Sequence, residues 1–215
     1  LKYFLNYQKN YNRGLYTMRL ALITNIPSPY RTPVWEELAK RADVLQVYLC
    51  SRSEPNRIWA NSIGNYSLQI KKLAGVGFFI HKLDGGVYFS PFLWKELDIF
   101  KPDAILISGY ENPTYLLALF YAKVKKIPIT LWWGSHSTSG YFNKPILDFI
   151  KGKLFKGYDS FVTYGTLAQQ YLLNLGISSK KIVKGVNAID VVKLNQFVTK
   201  AKNLESKIEE NRPVY

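Results

Sequence analysis

The sequence predicts an α/β fold: a Rossmann-like, open, mostly parallel sheet with helices on both faces. Three observations carry that expectation. From Arg19 onward short apolar runs alternate with amphipathic stretches of helical length, the mark of βαβ units. Several of these runs are nearly continuous in apolar residues, as strands covered on both faces must be. A polar residue followed by proline recurs at Thr32-Pro33, Ser90-Pro91 and Asn112-Pro113, where helices should begin.

Taken in order, strands are expected at about 19–24, 44–50, 67–73, 103–108, 129–133, 159–163 and 181–184, and helices at about 33–41, 91–100, 113–125, 144–156 and 166–175. Each polar–proline pair would put an oxygen acceptor at the N-cap and a residue without an N–H at the first helical position, where that N–H would be orphaned anyway. Thr166 reads as a further N-cap, and Gly176 suits a left-handed cap after Leu175. The polar stretch 52–66 and the glycine-punctuated stretch 74–89 read as surface connections near a binding face.

Residues 1–17 are rich in Asn and Tyr without a clean period and read as a poorly structured extension, with Met18 as the true or ancestral start. Residues 18–198 form the expected Rossmann-like domain. Residues 199–215 read as a linker or the start of a further, missing C-terminal domain, because Arg212-Pro213-Val214-Tyr215 begins something like a new strand.

Composition narrows the function. With 47% apolar and 20% charged residues among 215, the chain can bury a substantial core, which excludes intrinsic disorder for most of it. The net charge of +14 is spread along the chain rather than gathered in an arm, and no nucleic-acid recognition motif accompanies it, so no specific nucleic-acid partner is expected. Cys50 is the single cysteine, which excludes an intramolecular disulfide and favours a reducing compartment. No stretch approaches a spanning helix, and the N-terminus lacks the pattern of a signal peptide.

The familiar chemical motifs fail. Gly75-Val76-Gly77 has Ile80 where a dinucleotide fingerprint needs glycine or alanine, and there is no Asp-x-Asp, His-Glu-x-x-His or Gly-x-Ser-x-Gly. No metal site is expected.

Polar groups at the C-terminal ends of strands remain, where an open α/β sheet binds its ligands. After the first strand a stiff loop, Asn25 to Arg31, carries Ser28 and delivers Tyr30 and Arg31; the arginine would grip a phosphate or carboxylate, or else face solvent. Glu111, in the loop after 103–108, would accept hydrogen bonds from a sugar or amine, or simply sit favourably near a helix N-terminus. The loop after 129–133 brings Gly134, Ser135 and His136, the latter between two serines, whereas His81 reads as solvated. The stretch 144–156 interleaves Lys144, Lys151, Lys153 and Lys156 with Ile146, Leu147, Phe149, Ile150, Leu154 and Phe155. Its apolar spacing suits an ordinary core face with Lys151 and Lys153 solvated, the alternative being a basic helix on anionic lipid. The aromatics of 78–94 would suit a lipid-linked acceptor or core packing equally.

Two stretches carry a family resemblance. Met18-Arg-Leu-Ala-Leu-Ile-Thr-Asn-Ile-Pro-Ser-Pro-Tyr-Arg31 resembles the opening of a family 4 glycosyltransferase of the GT-B type, and so does Tyr171-Leu-Leu-Asn-Leu-Gly-Ile-Ser-Ser-Lys-Lys-Ile-Val183 followed by Gly185-Val-Asn-Ala-Ile-Asp190. The resemblance covers the layout of residues 18–215 and implies the N-terminal, acceptor-binding half of a retaining, metal-independent enzyme. Its substrates would be a nucleotide-diphosphate sugar donor, with no other cofactor, and a sugar or lipid-linked acceptor.

In that resemblance His136 is the catalytic residue, contacting the donor sugar; Ser28, Gly134, Ser135 and Asn187 are donor-proximal; and Tyr30, Arg31 and Glu111 bind acceptor. The family's glycine pair after the first strand is replaced here by Ile26-Pro27-Ser28-Pro29, which tilts Tyr30 and Arg31 toward the acceptor. The implied setting is cytoplasmic, peripheral to the inner face of the membrane, in polysaccharide or lipid-linked glycan synthesis. The other reading the residues leave open is a non-catalytic flavodoxin-like domain binding a phosphorylated ligand or a protein.

Overall fold

The computed structural model describes residues 17–57, 68–136, 145–185, 190–192, 195–196, 198–199 and 202. Its seven-stranded sheet contains β1 (Arg19–Thr24), β2 (Val44–Leu49), β3 (Gln69–Lys72), β6 (Ala104–Ile107), β7 (Ile129–Trp133), β8 (Ser160–Thr163) and β9 (Ile182–Lys184). The spatial order is β3-β2-β1-β6-β7-β8-β9, and every pairing is parallel. Each expected strand is present within two residues. β1 runs Leu20 to Thr24 wholly buried, because it lies mid-sheet with β2 and β6 on its flanks and side chains packed on both faces.

The helices are α1 (Thr32–Ala39), α2 (Leu93–Phe100), α3 (Pro113–Lys125), α4 (Pro145–Phe155) and α5 (Thr166–Asn174). They divide unequally between the faces. Trp35 of α1 packs with Leu20, Leu22, Leu45, Val47 and Trp132 in one core, while α2 to α5 cover the other face. There Leu97, Ala118, Phe155 and Leu172 meet Ile23, Ile107, Leu131 and Phe161. The chain builds outward from β1 to β3, then returns to add β6 on the other side of β1. The reversal falls at the β1–β6 boundary, the place where open α/β sheets bind their ligands.

Helix ends follow local physics, with corrections at the starts. Gly176 adopts φ +79, the Gly176 N–H donates to the Leu173 carbonyl at 2.9 Å, and the Ile177 N–H reaches Leu172 at 3.0 Å, a Schellman termination. The expected side-chain caps do not form. Thr32 and Thr166 are the first helical residues, after Arg31 and Gly165, and Ser90 stands two residues before the N-cap Phe92. Asn112 does occupy an N-cap with Pro113 behind it, but its side chain is engaged elsewhere.

That engagement explains an element the sequence reading missed. The stretch 74–89 is an antiparallel hairpin, β4 (Val76–Ile80) and β5 (Gly85–Phe89), and not a plain connection. The Tyr88 N–H donates to Asn112 Oδ1 at 2.7 Å. Thr114 Oγ1 accepts from the Ser90 N–H at 3.1 Å and donates to the Tyr88 carbonyl at 2.9 Å. The start of α3 therefore satisfies the edge of β5 as a neighbouring strand would.

Candidate functional site

The C-terminal edge of the parallel sheet gathers the loops the sequence singled out. β1 and β7 run the same way, so the segments after them, Asn25 to Arg31 and Gly134 to His136, emerge on one edge. In the first loop the buried Ser28 offers its carbonyl to the Arg31 N–H at 2.9 Å, the Thr32 N–H at 3.2 Å and the Thr32 hydroxyl at 3.1 Å, which turns the chain into α1.

Arg31 is thereby aimed along the edge toward β7 and β8. Its guanidinium lies 5.4 Å from the Trp132 ring centre and 5.5 Å from that of Tyr164, and Nη2 donates to the Tyr164 hydroxyl. Its Nε is buried without a hydrogen-bond partner among the described residues. Burial raises the Tyr164 hydroxyl above the usual phenol range, with Arg31 pulling the other way. Gly134 is the floor under this contact: a Cβ there would stand 2.3 Å from the Tyr164 ring.

His136 is half-buried and Ser135 exposed just beyond Gly134. Glu111 is exposed on the loop after β6, its Oε2 accepting the Tyr110 N–H at 2.8 Å, while Tyr30 is half-buried. Behind Glu111 the Tyr110 ring stands 5.3 Å from Trp133 and 5.0 Å from Phe155, and burial pushes its hydroxyl up to about 12. Asn187 lies outside the described residues. Tyr30, Arg31, Glu111, Ser135 and His136 therefore lie on loops that leave the same edge of the sheet, after β1, β6 and β7, whereas Ser28 turns the first loop and Gly134 leaves room for the Tyr164 ring.

Sequence reasoning missed a buried polar chain beneath this rim. Glu54, only 5% exposed, accepts from Asn25 Nδ2 at 3.1 Å and from the Tyr88 hydroxyl at 2.9 Å, with Arg57 Nε at 4.0 Å from its other oxygen. Next to it the Ser108 hydroxyl donates to Thr24 Oγ1 at 2.7 Å and lies 3.2 Å from the Tyr115 hydroxyl. The network ties the β1 loop, the 50s loop and the hairpin together across the β1–β6 boundary. A signal was available in Gly77 and Gly86: a Cβ at either would strike Tyr88, at 2.4 and 2.1 Å, so these glycines exist to let that ring lie across the hairpin.

These loops carry hydroxyls, a carboxylate, an imidazole and a guanidinium, groups that hydrogen-bond hydroxyl-bearing ligands, the guanidinium also suiting an anion. Among the described residues no group of three or more His, Cys, Asp or Glu could hold a metal ion, and no helix is long and apolar enough to cross a membrane.

Solved structures share this architecture. UDP-GlcNAc 2-epimerase from Neisseria meningitidis, bound to UDP-GlcNAc, matches with a TM-score of 0.58 and 18% identity over 90% of this chain and 53% of its own. The Anabaena protein Alr3699/HepE, in complex with UDP-glucose, matches with a TM-score of 0.56 and 12% identity over 85% of this chain and 50% of its own. The chain has the Rossmann-like fold of a GT-B half-domain. The S. aureus MnaA–UDP structure matches at 0.53 and 18% identity over 80% of this chain and 46% of its own, so the chain spans about half the length of these neighbours. No protein-family model matches the chain, and no curated protein matches it.

Proposed function

We propose that this chain is the acceptor-side half of a glycosyltransferase, retaining and metal-independent, that moves a sugar from a nucleotide-diphosphate donor to a hydroxyl acceptor. The observation that carries the reading is the shared edge. Arg31 follows β1 and His136 follows β7, so both loops leave the C-terminal edge of one parallel sheet, in a fold whose solved neighbours hold UDP, UDP-GlcNAc or UDP-glucose.

The residues divide by exposure. His136 would hydrogen-bond a hydroxyl of the donor sugar or the charge that develops on it, with Gly134 and Ser135 lining its approach. Tyr30, Arg31 and the exposed Glu111 would orient the acceptor, and Asn187 is assigned to the donor side by resemblance only. Ser28, being buried, would act by holding the loop. Catalysis then needs a second domain that closes over the nucleotide, so the 215-residue chain by itself should not turn over.

Epimerisation of a UDP-sugar is a second reading, favoured by the epimerases among the structural matches. The complete gene product, incubated with UDP-glucose or UDP-GlcNAc, separates the two. UDP release that rises with an added sugar or lipid-linked acceptor, with the sugar recovered on that acceptor, supports transfer; a product sugar of inverted ring configuration, formed without acceptor, refutes it in favour of epimerisation. His136→Ala should lower turnover roughly a hundredfold, the cost of one lost transition-state donor. Arg31→Ala should raise the acceptor KM.

A further inference from the structure

We propose that the free edge of β4 pairs with β4 of a second copy of this chain, joining two hairpins into one four-stranded antiparallel sheet. The inference stands on the hairpin and does not depend on the chemistry proposed above.

The two faces of the hairpin are unlike. Register sets Gly77 against Tyr88 and Phe79 against Gly86 on one face, where Tyr88 is buried with its hydroxyl on Glu54. The other face carries Val76, Phe78 and Ile80 of β4 against Phe89, Val87 and Gly85 of β5. Val76 is 71% exposed, Phe78 63% and Phe89 43%, so this face is open to solvent.

The two edges differ as well. β5 is closed by the start of α3, whose Asn112 and Thr114 side chains meet the Tyr88 and Ser90 N–H groups and the Tyr88 carbonyl. On the far side of β4, among the described residues, no other segment hydrogen-bonds the strand, and residues 74–78 are all exposed. Bare N–H and C=O groups along an exposed strand are a template for another strand, and proteins guard such edges with lysine or proline. The seven-stranded sheet obeys that rule at both ends: β3 finishes in Lys71-Lys72 and β9 in Lys184. β4 reads Val-Gly-Phe-Phe-Ile, with neither charge nor proline.

The edge selects a protein strand, since unpaired backbone groups are costly to place in lipid. Charge then selects a second copy. The chain carries +14, yet residues 73–92 hold one lysine, Lys82, and one acid, Asp84. Exposed rings elsewhere come with cations, as on α4, where the Lys153 ammonium lies 4.4 Å from the Phe149 ring centre. Lys151 of that helix, expected in solvent, instead turns inward to the Tyr171 hydroxyl at 3.0 Å. The hairpin is thus a neutral patch on a cationic molecule. Two copies can meet there without opposing like charges, and an acidic partner finds little to pair with.

The strand is also complementary to itself. With Phe78 on a two-fold axis, Val76 faces Ile80 of the second copy, Gly77 faces Phe79, and the two Phe78 rings form an aromatic cross-strand pair. Because Asn112, next to Glu111, holds β5, the joined sheet would also steady the loop after β6. An interface of two five-residue strands belongs to the small, transient class, with a dissociation constant on the order of micromolar to about 100 µM.

Sedimentation velocity of the 215-residue chain over about 1–200 µM tests this. The chain should pass from monomer to dimer, and the dimer should tighten as salt rises from about 0.05 to 0.5 M, because salt screens the repulsion between two cationic copies. Phe78→Lys and Phe78→Glu should each weaken the dimer at least about tenfold with an unchanged thermal melt, since like charges would then meet across the axis at an exposed position. An equimolar mixture of the two variants should dimerise again, because Lys now faces Glu. A chain that stays monomeric at every concentration overturns the proposal. So does a dimer that either variant leaves intact, one that salt loosens, or a mixture that remains monomeric.

Discussion

Replacing Tyr88 by phenylalanine removes one oxygen and leaves the hairpin's packing intact, so it isolates the polar tie between β5 and the 50s loop. The phenol is 7% exposed and donates at 2.9 Å to Glu54, a carboxylate that is itself 5% exposed. Asn25 and the more distant Arg57 would remain as its partners, so the loss is one charge-assisted hydrogen bond in a buried setting. Such a bond is worth about 1.5–3 kcal/mol, which in a domain of this size lowers Tm by roughly 4–10 °C. The ring still lies over Gly77 and Gly86, so little hydrophobic transfer changes.

Urea unfolding followed by tryptophan fluorescence measures the loss, and a double-mutant cycle with Glu54→Gln should give a coupling of about 1 kcal/mol or more. The pH dependence has a definite sign. Burial, then Glu54, raise the Tyr88 hydroxyl above its ordinary value, so its contribution is complete below about pH 10 and is lost as pH rises beyond it. The wild type should therefore lose its advantage over the variant only in strong alkali. A Tyr88→Phe protein within about 0.5 kcal/mol of wild type, or effects that simply add with Glu54→Gln, would refute the tie.

Three further outcomes follow from the geometry. Cys50, pushed up to about 12 by burial, should resist a disulfide reagent at pH 8 until denaturant is added, and its contribution to stability should hold below about pH 9 and decline as pH climbs toward the raised value. Gly134→Ala drives a Cβ into the Tyr164 ring that holds Arg31, and should cost about 1–3 kcal/mol in a chemical melt. Lys126 ends α3 at φ 58, so Lys126→Gly should stabilise by about 0.5–1 kcal/mol, read as a raised Tm.

Local pattern carried the sheet because its signal is local. An apolar run such as Arg19–Thr24 or Ile129–Trp133 reports burial on both faces directly, and Gly176 reports a backbone angle that other residues resist. The polar residues were harder to read. Asn112 looks like a helix cap in one dimension, but the nearest unsatisfied backbone in three is the Tyr88 N–H, and the side chain goes there. Glu54 looks like a surface carboxylate until the hairpin folds over it with Tyr88. On α4 the spacing of Ile146, Phe149 and Ile150 suited a core stripe, yet periodicity does not say which way a helix is rolled, and these three face outward.

The chain's residues, read in order, determined the seven strands of the main sheet, the helices, the parallel class of that sheet and the loops at its C-terminal edge, since each depends on neighbours within a turn or a pleat. Only the tertiary structure decided that Arg31 reaches Tyr164, which is 133 positions away, that Glu54 is buried, and that an apolar face is left to solvent. Those facts depend on strand order and helix roll, which bring together groups far apart along the chain and are set by the packing of the whole core.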